Sequence, residues 1–176
     1  MSLRAKENEQ EARERLRAFW AGSSLGRPAL SVVVQDRAWR DAPTPDADLP
    51  SVANDWAPEW HARRALSALD HTTYLAEAMP AATLRFGALL TVLAVLADGE
   101  YDYHSDSAWI RPVPDLWERS VPTFDPSSEA VQGMERCLRA VADAVGDRGL
   151  VNPPCLLDGL TTISGFRTPA QLCLDV

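Results

Sequence analysis

The sequence lacks most of the features that would place it quickly in a functional class. Its three cysteines, Cys137, Cys155 and Cys173, are widely spaced and form no Cys-x-x-Cys pair. This spacing argues against a disulfide framework and favours reduced thiols that act as small apolar residues. Lysine and arginine number 17 against 25 aspartates and glutamates, so the net charge of −8 disfavours nonspecific binding to nucleic acid or to an anionic membrane.

Long hydrophobic runs are also missing. The most apolar stretch, residues 87–97, is shorter than the roughly 20 residues that a helix needs to cross a bilayer. The N-terminal stretch is charged from Arg4 to Arg17 and does not resemble a secretory signal. These features predict a cytoplasmic protein. The length of 176 residues, with 46% hydrophobic and 24% charged residues, predicts a single domain with a sizeable core.

Local catalytic and cofactor motifs are absent from the sequence. The patterns GxGxxG, GxxxxGK[ST], GxSxG and HExxH do not occur, so no cofactor and no metal is predicted from a motif. Acidic residues do alternate along residues 98–106, which suggests a metal loop. A calcium loop fits poorly, because Tyr103 stands where glycine is needed and Trp109 where glutamate is needed. We favour an alternating β-strand and keep metal binding as a third hypothesis.

The chain does contain an alternation of helix and strand patterns, which predicts an α/β fold with parallel strands. An N-terminal amphipathic helix presents Ala12, Leu16, Phe19 and Trp20 on one apolar face. The first strand is short, rich in β-branched residues and bounded by turn residues, so it is predicted to be buried. A proline-rich loop at 35–59 follows it, with Trp39, Trp56 and Trp60 around it. These tryptophans either line a pocket for a flat ligand or, as we favour, attach the loop to the core. The predicted helices are 3–21, 58–79, 88–97, 125–146 and 160–176, and the predicted strands are 27–34, 81–86, 100–113 and 150–152.

Two predicted sites follow from this order of elements. The carboxyl ends of parallel strands form the ligand-binding face of α/β folds, so Arg85, Phe86 and Gly87 are candidates for substrate binding. Asp158 follows the last strand, and with Arg167 it could bind or protonate an anionic substrate. The alternative is that Asp158 caps the next helix while Arg167 forms a surface ion pair.

The order of the pieces resembles the uroporphyrinogen decarboxylase-like family, in its divergent and mainly bacterial branch. Leu160–Val176 is similar to the family's segment from the third strand into a leucine-rich helix. Residues 81–90 take the place of the second strand and its loop, and residues 101–113 resemble the β-arm that precedes the Asp115-Leu-Trp117 turn. The similarity in order and spacing covers nearly all of the chain.

The resemblance implies a (β/α)8 barrel of about 250 residues or more, of which this chain would supply about the first three β/α units, as an incomplete barrel. Where the family has an arginine-rich loop for substrate carboxylates, this sequence keeps Arg37 and Arg40. Where the family has its essential aspartate, this sequence has Phe86-Gly87-Ala88. Decarboxylation by this chain is therefore not expected, because no carboxylate there would stabilise the protonated intermediate.

Three hypotheses result. The first is an N-terminal portion of such a barrel, whose whole acts on a tetrapyrrole or in corrinoid-linked methyl transfer, with self-association through exposed barrel edges. The second is a non-enzymatic α/β interaction protein that uses the apolar 88–97 helix. The third is the metal-binding domain at residues 98–106.

Overall fold

A computed structural model of the chain describes residues 6–23, 25–43, 56–84, 101–104, 107–113, 115–118, 125–152 and 159–175. Contacts between residues divide the chain into two compact units. The first unit comprises Met1–Thr44, Glu59–Leu84 and Arg139–Pro153, and the second comprises Pro45–Pro58, Arg85–Leu138 and Pro154–Val176.

The first unit begins with helix α1, Glu9–Trp20. Ion pairs one turn apart stabilise it, at 2.6 Å between Glu9 and Arg13 and at 3.2 Å between Glu11 and Arg15. The helix ends before Gly22, whose φ of +71° suits glycine and continues the chain away from the helix axis. Helix α1 is therefore as predicted from Glu9 onward.

Strands β1, Ser31–Gln35, and β2, Thr72–Ala76, form an antiparallel pair in which Val33 lies opposite Tyr74. The predicted second helix, 58–79, is wrong in its C-terminal part. Helix α3, Pro58–Asp70, stops at the Thr72-Thr73-Tyr74 run, whose β-branched and aromatic side chains favour a strand. The short helix α2, Arg37–Arg40, occupies the start of the predicted 35–59 loop.

The prediction that β1 is buried is also wrong. All five of its residues are exposed. Val32, Val34 and Leu75 share one face of the pair, because Val32 lies opposite Leu75, and 42% to 48% of each residue is exposed. A run of β-branched residues predicts a strand, but it does not establish that another layer covers it.

Strands β3, Ala81–Thr83, and β6, Leu150–Asn152, form a parallel pair. The Gly149 backbone approaches β3 closely, since a Cβ there would lie 3.1 Å from the Pro80 carbonyl oxygen. Helix α4, Glu129–Val145, leads into β6 and ends at Gly146, which has a φ of +53°. The start of β3, the whole of β6 and the end of this helix are as predicted, whereas β3 stops at Thr83 and does not continue to residue 86.

The start of α4 differs from the prediction. The Ser128 hydroxyl accepts a hydrogen bond from the Val131 amide at 3.4 Å, so Ser128 is the residue that caps the helix. Asp125 accepts instead from the amide and the hydroxyl of Ser127, at 2.8 Å and 2.6 Å, in the turn before it.

The second unit contains the predicted β-arm as a hairpin of β4, Tyr101–His104, and β5, Ser107–Ile110. Its C-terminal part is two helices, α5, Gly159–Arg167, and α6, Pro169–Leu174, where one helix was predicted. The break lies at Thr168, which has a φ of +66° and whose hydroxyl caps α6 through the Gln171 amide. The Val113 amide donates to the Phe166 carbonyl at 2.8 Å, which ties the segment after β5 to α5.

Apolar side chains of the first unit form its core, and they come from α1, α3, α4, β3 and the residues beside β3. Those below a tenth exposed are Ala12, Trp60, Ala65, Leu69, Ala78, Pro80, Ala82, Leu84, Val141 and Val145. Within the part of the chain that the structure describes, no helix has the length and hydrophobicity to span a membrane.

The structure is a mixed α/β arrangement with small sheets. The described strands form three two-stranded pairs, two of them antiparallel and one parallel, and they do not close into a barrel. The predicted apolar helix at 88–97 lies outside the described residues.

Candidate functional site

The parallel pairing of β3 with β6 brings two polar side chains together at the carboxyl ends of the strands. Thr83 and Asn152 are the last residues of their strands, lie opposite each other in the register, and are both exposed. The Asn152 side-chain amide donates to the Thr83 hydroxyl at 3.0 Å. The amide oxygen of Asn152 and the hydroxyl proton of Thr83 are thus oriented by this bond and can hydrogen-bond to a ligand.

This edge is the place that the sequence predicted for a ligand. Arg85, Phe86 and Gly87 follow β3 after Leu84, and Asp158 comes six residues after the end of β6; all four lie outside the described residues. The strands that precede these two stretches end side by side. Thr83 and Asn152 were missed by the sequence analysis. Asn152 ends a predicted strand, but Thr83 lies in the middle of the predicted strand 81–86, which in the structure ends at Thr83.

Arg37 and Arg40 belong to a different part of the first unit. Both lie on α2, after the carboxyl end of β1, and both contact Asp41, at 3.2 Å and 2.9 Å. Hydrogen bonds from Arg40 and then Arg37 lower the pKa of Asp41 below its usual value. Because each side chain is more than half exposed, these ion pairs leave the arginines accessible to an anion.

A buried carboxylate that the sequence analysis did not identify lies beside β2. Glu77 is 2% exposed and accepts two hydrogen bonds from Arg27, at 2.8 Å and 2.6 Å, and one from the Leu30 amide at 2.7 Å. Arg15 lies 3.6 Å from the same carboxylate. These bonds, with Arg27 first, lower the pKa of Glu77 to about 2.

Lys6 is buried near this ion pair. Its ammonium donates to the carbonyls of Tyr74 and Ala76, at 3.3 Å and 2.9 Å. Burial lowers the pKa of Lys6, and the nearby Glu77 charge opposes that effect. The Lys6 and Arg27 side chains both hold neighbouring chain segments against β2, and their bonds to protein atoms indicate a structural role. Glu77 was predicted to be inside a helix, which concealed this cluster.

The tryptophans around the predicted loop make contacts within the protein. Trp39 stacks on His71 with the rings 12° from parallel, and its indole nitrogen donates to the Ser67 hydroxyl at 3.1 Å. Trp60 is 5% exposed and lies under the Arg64 guanidinium. For Trp39 and Trp60, these contacts favour attachment of the loop and α3 to the first unit over the lining of a ligand pocket. The neighbouring His61 is 3% exposed and packs edge-on against Trp60.

Arg167, which was considered as a partner of Asp158, forms an ion pair with Asp175. Its guanidinium donates to both carboxylate oxygens, at 2.6 Å and 2.9 Å, and the Trp117 indole adds a third bond at 2.9 Å. These bonds, with Arg167 first, hold the pKa of Asp175 well below its usual range. The contact holds α5 and α6 to the turn at Trp117 and agrees with the surface ion pair weighed as the alternative.

Among the described residues, no group of three or more His, Cys, Asp and Glu side chains is placed to hold a metal ion. Within the acidic stretch 98–106, which was considered for metal binding, Tyr101–His104 forms β4. Asp98, Glu100 and Asp106 lie outside the described residues. The chain matches no protein-family model, no curated protein and no solved structure.

Proposed function

We propose that the chain is the N-terminal portion of a uroporphyrinogen decarboxylase-like barrel that binds a small molecule at the carboxyl edge of β3 and β6. The parallel pairing of these strands carries the proposal, because barrels of this class bind their ligands at the carboxyl ends of parallel strands. In this proposal β3 and β6 are neighbouring barrel strands. The β1–β2 pair is antiparallel, whereas the strands of such a barrel are parallel. Strand β1 is therefore not assigned to one of the three expected β/α units.

The substrate class proposed for the whole protein is a tetrapyrrole or a corrinoid-linked methyl donor. Thr83 and Asn152 would hydrogen-bond to polar groups of the ligand, and Arg37, Arg40 and Arg85 would bind its carboxylates. Asp158 would contribute a carboxylate to the same site. Simple decarboxylation is not proposed, since Phe86-Gly87-Ala88 stands where the family carries its essential aspartate.

Optical titrations with two probes test this proposal. One probe is hydroxocobalamin, a corrinoid, and the other is a porphyrin with several carboxylates. We expect a saturable spectral change with one of them, which would also separate the corrinoid class from the porphyrin class. We expect weaker binding for Thr83→Val and Asn152→Leu, each of which removes a hydrogen-bonding group.

Thr73→Val provides the matched control, because Thr73 is an exposed threonine on β2, in the other sheet of the first unit. Its affinity for the probe should equal that of the wild-type chain. The proposal fails if neither probe produces a saturable change, or if Thr83→Val and Asn152→Leu bind the probe as tightly as Thr73→Val does.

A further inference from the structure

The apolar face of α1 is covered by the protein only along part of its length. Ala12 is fully buried, whereas Phe19 is 55% exposed and Trp20 is 81% exposed. The two rings contact each other edge to face, with centroids 5.3 Å apart. Aromatic surface left in water is unfavourable, and exposed clusters of this kind are common at protein interfaces. The C-terminal half of α1 therefore presents a surface that another molecule could cover.

A groove of about 530 Å³ runs beside Trp20, within the first unit. We call it the α1 groove. Leu16 and Trp20 of α1 line it together with Met79, before β3, and Leu150, the first residue of β6. The groove is therefore mainly apolar, and side chains from successive turns of one helix form one of its walls.

Positive charge lines the same groove. Arg13 and Arg17, one turn apart on α1, are both lining residues. Arg13 is paired with Glu9, but Arg17 forms no ion pair with any residue that the structure describes, and it is exposed. The chain as a whole carries a net charge of −8, so attraction of an acidic ligand to this groove must come from the local arginines and not from the net charge. An apolar groove with an uncompensated arginine at its rim favours an acidic ligand over a second copy of this α1 surface, which would bring like charges together.

We propose that the α1 groove binds an acidic, amphipathic helix of a partner protein. Apolar side chains of that helix would cover Trp20, Leu16 and Met79, and its flanking carboxylates would pair with Arg17. A helix fits best, because the ridges formed by Arg13, Leu16, Arg17 and Trp20 repeat every three to four residues, the spacing that a second helix complements.

This surface is independent of the proposed ligand site. Met79 precedes β3 and Leu150 begins β6, so the groove lies at the amino ends of the parallel pair. Thr83 and Asn152 lie at the carboxyl ends of the same two strands. Substitutions in the groove should therefore leave binding at the carboxyl edge unchanged, and a failure of one proposal would not imply a failure of the other.

Fluorescence anisotropy with a labelled peptide tests the proposal on the full chain. The probe is a helical peptide of about 18 residues, roughly five turns, with leucines along one face and glutamates on both flanks. A second peptide carries lysine at every glutamate position. We expect the acidic peptide to bind, more tightly at low ionic strength, and the lysine peptide not to bind. Affinity for the acidic peptide should fall about tenfold or more in Arg17→Glu and in Trp20→Ala.

Two variants serve as matched controls. Arg136→Glu reverses the charge of an exposed arginine on α4, and Trp117→Ala removes a tryptophan of the second unit that is 57% exposed. Both should bind the acidic peptide as the wild-type chain does, and circular dichroism confirms that every variant is folded. The proposal is overturned if the acidic peptide does not bind, if the lysine peptide binds equally well, or if Arg17→Glu and Trp20→Ala retain full affinity. It is also overturned if Trp20→Ala abolishes self-association in sedimentation, since a second copy would then occupy the groove.

Discussion

Arg27 donates two hydrogen bonds to the carboxylate of Glu77, at 2.8 Å and 2.6 Å, although the two residues are 50 positions apart in the chain. Arg27 precedes β1 and Glu77 follows β2. The same carboxylate accepts from the Leu30 amide, and the Glu77 amide donates to the Leu30 carbonyl at 2.8 Å. This ion pair therefore fixes the register of the β1–β2 pair at its Ser31–Ala76 end.

Acid should destabilise the first unit through Glu77. Its pKa is lowered from 4.5 to about 2 in the folded protein, so its carboxylate stabilises the fold fully above the unfolded value. That contribution is lost as the pH falls from about 4.5 through about 2. We expect urea unfolding midpoints to drop across this window, and to drop less in Glu77→Gln. Asp175→Asn, at a lowered-pKa carboxylate of the second unit, is the comparison that shows which part of the pH dependence belongs to Glu77. An unchanged pH profile in Glu77→Gln would contradict the role assigned to the Arg27–Glu77 pair.

Thr168→Gly should stabilise the second unit. Thr168 has φ +66° and ψ 145°, a region that residues with a Cβ rarely adopt, and such strain costs about 1–3 kcal/mol. Glycine removes that strain but loses the hydroxyl cap of α6 and adds flexibility to the unfolded chain, so we expect a net gain of about 1 kcal/mol. Thr168→Ala keeps the strain and loses the cap, and it should destabilise by about 1 kcal/mol. Thermal unfolding of the wild-type chain, Thr168→Gly and Thr168→Ala measures both changes in stability. A lower unfolding midpoint for Thr168→Gly than for the wild-type chain would contradict the prediction.

The cysteines should differ in reactivity. Cys137 is fully buried in α4, whereas Cys173 is exposed on α6. Because thiol modification requires access, iodoacetamide should label Cys173 in the native protein and Cys137 only in urea. Peptide mapping by mass spectrometry distinguishes the two sites. Rapid labelling of Cys137 under native conditions would show that the core around α4 is open.

Self-association should occur through the exposed edge of β1, which is not one of the barrel edges for which self-association was predicted from the sequence. Strand β1 is bonded to β2 on one side, and no other described strand pairs with it. Its exposed Val32, Val33 and Val34 carry no charge that would prevent pairing with a second copy. We expect sedimentation velocity to show species larger than the 19.3 kDa monomer, and Val32→Lys to reduce them. Gln10→Lys adds the same charge on α1 and should have no such effect. A monomer at every concentration would contradict this expectation.

Local sequence patterns predicted the helices well where the apolar spacing was regular. Helix α4 repeats its apolar residues over 17 positions, and Gly146 marks its end, so both its existence and its C-terminus were predictable. The boundary between α3 and β2 was not, because the apolar residues of Thr72–Ala76 continue a spacing that also fits a helix. The Thr72-Thr73-Tyr74 composition was the available signal for a strand.

The candidate site could be predicted only in part. Local sequence predicted the strand end at residue 152 and placed the other strand end at 86, three residues after the observed end at Thr83. The carboxyl ends of strands are the expected ligand edge. The direct contact of Thr83 with Asn152 depends on pairing between segments 69 residues apart, which no local pattern determines. The Arg27–Glu77 pair escaped prediction for the same reason, since its partners come from different elements.

Nuclear magnetic resonance on the labelled chain tests most directly whether the carboxyl edge of β3 and β6 is the ligand site. Backbone amide resonances are followed during titration with hydroxocobalamin and with the carboxylated porphyrin. We predict saturable shifts concentrated in residues 82–87 and 151–158, while Met79 and Leu150, at the amino ends of the same strands, stay in place. Shifts at Met79 and Leu150 without shifts at Thr83 and Asn152, or no saturable shift with either probe, would contradict the proposed site.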